Sequence, residues 1–177
     1  GFARKKTWTK NTFGILAGGV GLYFLFLAGF SVFSHQHNLP PGEEKYFCEI
    51  DCHLAYSIAD VKWVGEGPTR ALAVIVRTRF DEKTISARRP KDAPLIPNPR
   101  QVVLVDAHGA SLAPSSIAGT PFTTELIPGQ SYLTTFTFRA TQEFQGMRLL
   151  ITSTDGPMAL LIGNEMSWGH KKTYLKL

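Results

Sequence analysis

Residues Ala71 to Phe80 read ALAVIVRTRF, an alternation that sets Leu72, Val74, Val76, Thr78 and Phe80 on one side and Arg77 and Arg79 on the other. Successive side chains of an extended strand point to opposite faces, so the pattern predicts a β-strand with one face in a core and one in water. The same period returns in Ser131 to Ala140, SYLTTFTFRA, where Tyr132, Thr134, Phe136 and Phe138 share a face. Shorter β-branched or aliphatic runs at Gln101 to Asp106, Arg148 to Thr152 and Ala159 to Ile162 predict further strands. Turn residues separate them, as at Asp106-Ala107-His108-Gly109 and Ile127-Pro128-Gly129-Gln130. Arg88 to Arg100, RRPKDAPLIPNPR, carries four prolines and reads as a surface excursion between strands. No stretch after residue 35 keeps a helical period. The fold class expected is therefore mainly β, an antiparallel sandwich of two sheets.

Ahead of these strands lies a different composition. Phe13 to Phe33, FGILAGGVGLYFLFLAGFSVF, has no charge, and at about 1.5 Å per helical residue it spans roughly 30 Å, the hydrocarbon thickness of a bilayer. A signal peptide would have a shorter apolar core and a small-residue cleavage site, so the run reads as a permanent single-pass anchor. Arg4, Lys5, Lys6 and Lys10 precede it, while Glu43 and Glu44 follow it before the next lysine. That asymmetry predicts a cytoplasmic N-terminus in the bacterial inner membrane and a periplasmic C-terminal part, with Trp8 at belt depth. The organisation expected is a basic cytoplasmic N-terminus (1–12), a transmembrane helix (13–34), a stiff Pro-Pro-Gly linker (35–47) and a periplasmic domain (48–177).

The formal net charge is +5, from 19 Lys and Arg against 14 Asp and Glu. Four of the basic residues lie in the first ten positions, so the exported part is close to neutral. The basic surplus is then a topology signal beside anionic lipid, and nucleic acid is not an expected partner. Local flags of catalysis are missing: there is no Gly-x-Ser-x-Gly, no His-Glu-x-x-His and no glycine-rich phosphate loop. With scattered histidines and no acidic cluster, no enzyme activity is expected.

The two cysteines, Cys48 and Cys52, stand in KYFCEIDCHLAYSI with His53 directly after the second. An exported location favours a disulfide. In continuous strand their α-carbons would be roughly 13 Å apart, beyond disulfide reach, so a bond needs Glu49-Ile50-Asp51 to turn. Copper held by Cys48, Cys52 and His53 is the alternative, and haem attachment a third, because Cys-x-x-x-Cys-His lengthens the haem motif by one residue. Met147, Met158 and Met166 would be the methionines available to a haem; His35 and His37 lie just outside the apolar run, while His108 and His170 read as surface residues.

Two resemblances follow from these residues. The order from Ala71 onward, with the VVLVDAHG turn at Val102 to Gly109, the LIPGQSY step at Leu126 to Tyr132 and a strand ending in aromatic-Thr-Phe, resembles the immunoglobulin-like exported domains of bacterial membrane-anchored proteins. It implies an immunoglobulin-like sandwich serving in adhesion or assembly, and it transfers no catalytic residue. The Cys-x-x-x-Cys loop is similar, in part, to the copper loop of cytochrome oxidase subunit II. That family has a histidine and a methionine where this chain has Tyr56 and Ala59, so only Cys48 and Cys52 carry over.

The anchor itself carries Gly14, Ala17, Gly18 and Gly21 at three- and four-residue spacing, a small-residue stripe on which another membrane helix can pack closely. The opposite side, with Leu22, Tyr23, Phe26, Phe30 and Phe33, suits lipid, pigment or bulky neighbours. Near the chain end, Gly163 to Leu177 reads either as an edge strand closing the sandwich or, through Trp168 and Tyr174, as a partner contact. The function expected is a non-catalytic accessory subunit of a bacterial membrane complex, respiratory or photosynthetic, whose partners are integral-membrane subunits and lipid and which needs no cofactor. The alternative is a periplasmic copper-binding or thiol-redox protein.

Overall fold

The computed structural model describes residues 2–47, 52–65, 70–139, 146–154 and 156–177. Two compact units make up the chain: Gly1–His35 with Asp155–Lys172, and Gln36–Thr154 with Thr173–Leu177.

The second unit is a mainly β, antiparallel-rich two-sheet sandwich, the fold class its alternating patterns predict. Its strands are β1 (His37–Leu39), β2 (Lys45–Phe47), β3 (Leu54–Val64), β4 (Ala71–Phe80), β5 (Arg100–Val105), β6 (Ser111–Leu112), β7 (Ser116–Gly119), β8 (Ser131–Phe138), β9 (Arg148–Ser153) and β10 (Thr173–Lys176). One sheet runs β1-β10-β9-β5-β6 and the other β2-β3-β4-β8-β7. Among the described residues, only the β1–β10 pairing is parallel.

The alternation in β4 works as read: Leu72, Val74, Val76, Thr78 and Phe80 are buried while Arg77 is exposed. In β8, Thr134, Phe136 and Phe138 are buried on the same principle. Both sheets contribute to one core, with Tyr56, Val74, Phe80, Phe136 and Phe138 from one and Val102, Leu104, Leu149, Ile151 and Leu175 from the other. Each fully buried large side chain contributes about 2 kcal/mol of transfer free energy. Tyr132 closes the turn ahead of β8 by donating its hydroxyl to the Phe122 carbonyl at 2.7 Å. Burial pushes that phenol up to about 12.

Three stretches differ from their sequence reading. The stretch 35–47, expected as a connector, carries β1 and β2, one in each sheet. Three-residue strands are too short to show a period, and the Pro-Pro-Gly turn between them masks both. Gly163 to Leu177 does not end in an edge strand: β10 is flanked by β9 and by β1, which takes the edge. Ala159 to Ile162 is not a strand; a 3-10 turn spans Gly156–Leu160, and the segment around it belongs to the helical unit. The Pro-rich excursion 88–100 joins β4 to β5 as expected and is tied by an isolated bridge between Leu95 and Leu126.

The first unit is built on helix α1, Phe2–Val32. Its segment Thr12–Val32 is long and apolar enough to cross a membrane. A helix satisfies its own backbone hydrogen bonds, which is what hydrocarbon requires.

Candidate functional site

Three places carry polar or steric features that a partner or ligand can use. The first is α1. At about 100° per residue, Gly14, Ala17, Gly18 and Gly21 fall on one face. Ala17 is exposed, and a Cβ built at Gly14, Gly18 or Gly21 would meet nothing within 4 Å. The stripe is therefore uncovered by the chain itself.

Roughly opposite on the same helix, Tyr23, Leu27 and Ser31 follow one another at four-residue spacing, and this face is the one that the segment 156–172 meets. Tyr23 donates its hydroxyl to the Leu160 carbonyl. Ser31 is buried and donates to the Trp168 carbonyl at 2.6 Å. Just past the helix, Ser34 Oγ accepts from the Lys171 amide at 2.9 Å. Gly169 supplies the φ of +74° that the chain takes here, a conformation that side-chain-bearing residues rarely adopt. Beside these contacts lies an open apolar groove of about 630 Å³, walled by Leu25, Phe26, Phe30 and Phe33 with His170 at its rim. Trp168 is 74% exposed.

The second place is the cysteine corner. Cys52 is disulfide-bonded, so its sulfur is not a thiolate available to a metal here. Cys48, the other proposed ligand, lies outside the described residues, as do Glu49, Ile50 and Asp51. His53 is buried, its ring stacked on Phe80 with centroids 5.5 Å apart and its Nδ1 2.6 Å from Thr84 Oγ1. The Thr84 hydroxyl donates to the Asp81 carbonyl at 2.8 Å, so its oxygen accepts from Nδ1–H and that nitrogen is already engaged. Among the described residues, no three His, Cys, Asp or Glu side chains gather as a metal set.

The third place is a charged network that the sequence reading missed. Tyr46 of β2, Ala55 of β3 and Arg79 of β4 stand opposite one another across three strands. The two long side chains meet over the small Ala55, which is only 1% exposed. Arg79 binds Glu44 through Nε–Oε1 and Nη2–Oε2, both 2.7 Å, and reaches Asp81 Oδ1 from Nη1 at 3.2 Å. The Tyr46 hydroxyl lies 2.9 Å from Glu44 Oε2 and 2.8 Å from Asp81 Oδ2, and its oxygen accepts from Arg79 Nη2 at 3.2 Å. The Arg79 hydrogen bonds hold the Glu44 carboxyl below its usual range. Burial raises Asp81, but hydrogen bonds from Tyr46, Arg79 and the Lys83 amide outweigh it and leave that carboxyl lowered too. Burial and the neighbouring carboxylates raise the Tyr46 phenol, and Arg79 is raised mainly by Glu44. This is a locked structural cluster with every charge engaged, not a poised acid–base pair. The outward-facing arginine of β4 was the sequence signal, but its partner Glu44 sits in the stretch read as a connector.

Lys45 was also missed. It is buried and crosses between the sheets, donating from Nζ to the carbonyls of Ile151 and Thr173, each at 2.9 Å.

Of the proposed partner contacts, Trp168 belongs to the helical unit and Tyr174 to the sandwich, so no one compact unit holds both. Tyr174 is half-buried, with the Arg148 guanidinium 4.3 Å from its ring centroid. No protein-family model and no curated protein matches the chain. Among solved structures, it is similar to a secreted protein from Mycobacterium tuberculosis, MPT63, at 9% identity and a TM-score of 0.48, over 82% of this chain and 98% of that one.

Proposed function

We propose that the chain is a membrane-anchored, non-catalytic docking subunit, held in a bacterial inner membrane by α1 with its N-terminus in the cytoplasm and its β-sandwich in the periplasm. Its partner is an integral-membrane protein that lays a helix on Gly14, Ala17, Gly18 and Gly21. The observation that carries this reading is the open small-residue stripe, on the side of α1 away from the segment 156–172. In lipid there is no hydrophobic drive for helices to associate, so close backbone approach over small residues supplies the contact. The host class expected from the sequence is a respiratory or photosynthetic electron-transport assembly; the stripe specifies only the partner's surface chemistry.

Replacing Gly18 by Leu, alone and with Gly14→Leu, tests the reading. Co-isolation of the membrane partner in mild detergent should fall at least several-fold, while Cys48→Ser with Cys52→Ser should leave it intact. The reverse order, with the glycine variants silent and the cysteine variant losing the partner or stoichiometric copper, would favour the copper or thiol-redox alternative at Cys48, Cys52 and His53.

A further inference from the structure

We infer that the segment Gly156–Lys172 is a second membrane-inserting element, which lies in the hydrocarbon and headgroup layers of the leaflet at the C-terminal end of α1. The inference rests on α1 being a membrane span, as proposed above.

Two contacts to α1 and one to Ser34, just past it, place the segment along the helix. The Leu160 carbonyl is held by the hydroxyl of Tyr23, nine positions before the helix end at Val32, which places it short of that end, alongside the apolar span. Trp168 is level with Ser31, at the edge of the apolar span, and Lys171 is level with Ser34, beyond it. The chemistry changes with that depth as a bilayer demands. Gly156 to Gly163, GPMALLIG, has no charge, and Leu160 and Leu161 are 52% and 49% exposed. Trp168 stands at the level of an aromatic belt, and Lys171 and Lys172 at the headgroups. The Glu165 carbonyl accepts from the Lys172 ammonium.

Four backbone carbonyls of the segment, those of Met158, Ala159, Leu160 and Leu161, meet a second demand. Non-helical chain survives at membrane depth only when its polar groups are bonded within the protein. Here the carbonyl of Met158 accepts from the Leu161 amide at 3.2 Å, that of Ala159 from Trp168 at 2.9 Å, and that of Leu160 from Tyr23. The Leu161 carbonyl accepts from the Asn164 amide at 3.1 Å and from the Ser167 hydroxyl. What the segment presents outward is its leucine and tryptophan side chains. The occupant that fits this face, and the groove along Phe26 and Phe30, is lipid acyl chain.

The test uses the full chain in vesicles of phosphatidylcholine and phosphatidylglycerol, with a nitroxide placed singly by Leu160→Cys, Leu161→Cys, Val20→Cys or Ile117→Cys. All four positions are exposed large hydrophobics, so labelling leaves the core intact. Collision with oxygen, which concentrates in hydrocarbon, is compared with collision with a water-soluble nickel chelate. Oxygen should dominate at positions 160, 161 and 20, and nickel at 117 in β7. Nickel dominating at 160 and 161 with oxygen dominating at 20 would overturn the inference and spare the anchor. Shielding of 160 and 161 from both reagents would show protein rather than lipid on this face and would also overturn it. Nickel dominating at 20 would remove the anchor, and this inference with it.

Discussion

Arg79 and Glu44 face each other through two parallel N–H···O contacts of 2.7 Å, which tie the end of β4 to the residue preceding β2. A bidentate guanidinium–carboxylate pair of this kind fixes geometry as well as charge. It explains how a stretch containing Pro40-Pro41-Gly42 and only a three-residue strand is held in register on the sandwich.

Arg79→Ala should therefore destabilise the protein by about 2 kcal/mol, since it strips two carboxylates of their cation while Asp81 stays buried. Glu44→Gln should cost less. In a double-mutant cycle read by urea unfolding, the two changes should be strongly non-additive. Additive losses would mean that the pair contributes packing alone.

The same cluster predicts an acid dependence. Glu44 and Asp81 both have carboxyls lowered from their ordinary values of 4.5 and 3.8. A lowered folded-state value means that the charged form is the one stabilised. The contribution is complete above the ordinary values and is lost as the pH falls through the lower, folded-state ones. The urea midpoint should drop as the pH is taken from 6 to below about 4, and the Arg79→Ala variant should show a shallower drop. Equal slopes would contradict the assignment.

Gly119 ends β7 with φ +85°, and a Cβ there would lie 2.9 Å from the Leu133 carbonyl oxygen of the paired strand β8. Gly119→Ala should cost about 2 kcal/mol, from backbone strain together with the clash. Thermal unfolding measures it. An unchanged melting temperature would mean that the strand edge yields freely.

The fold was legible where strands were long enough to repeat. Leu72, Val74, Val76 and Phe80, and then Phe136 and Phe138, announce both their strands and the buried face of each. Legibility failed where the partner lies far off in sequence. His37–Leu39 has no pattern of its own and becomes a strand by pairing in parallel with Thr173–Leu175. The run at Ala159–Ile162 reads as strand because a short apolar stretch looks the same whether it faces a core, a helix or lipid. Its carbonyls turn toward Tyr23 and its own turn instead of a ladder. The stripe at Gly14, Ala17, Gly18 and Gly21, and Tyr23 on the side opposite it, were visible from spacing alone; that the distant segment 156–172 meets the face of Tyr23, Leu27 and Ser31 was not, because nothing in the sequence says which helix face that segment contacts. Cys52 was read first for a disulfide and, with Cys48 and His53, for copper as the alternative. The Thr84 contact that engages His53 comes from 31 residues further along the chain, which its local sequence does not contain.

The most direct test of the docking reading is to extract the full chain from its native membranes in mild detergent, isolate it by a C-terminal tag, and quantify by mass spectrometry what accompanies it. The account predicts an integral-membrane protein in fixed ratio, lost when Gly18 is replaced by Leu. A chain that comes through alone, with or without the substitution, would contradict it.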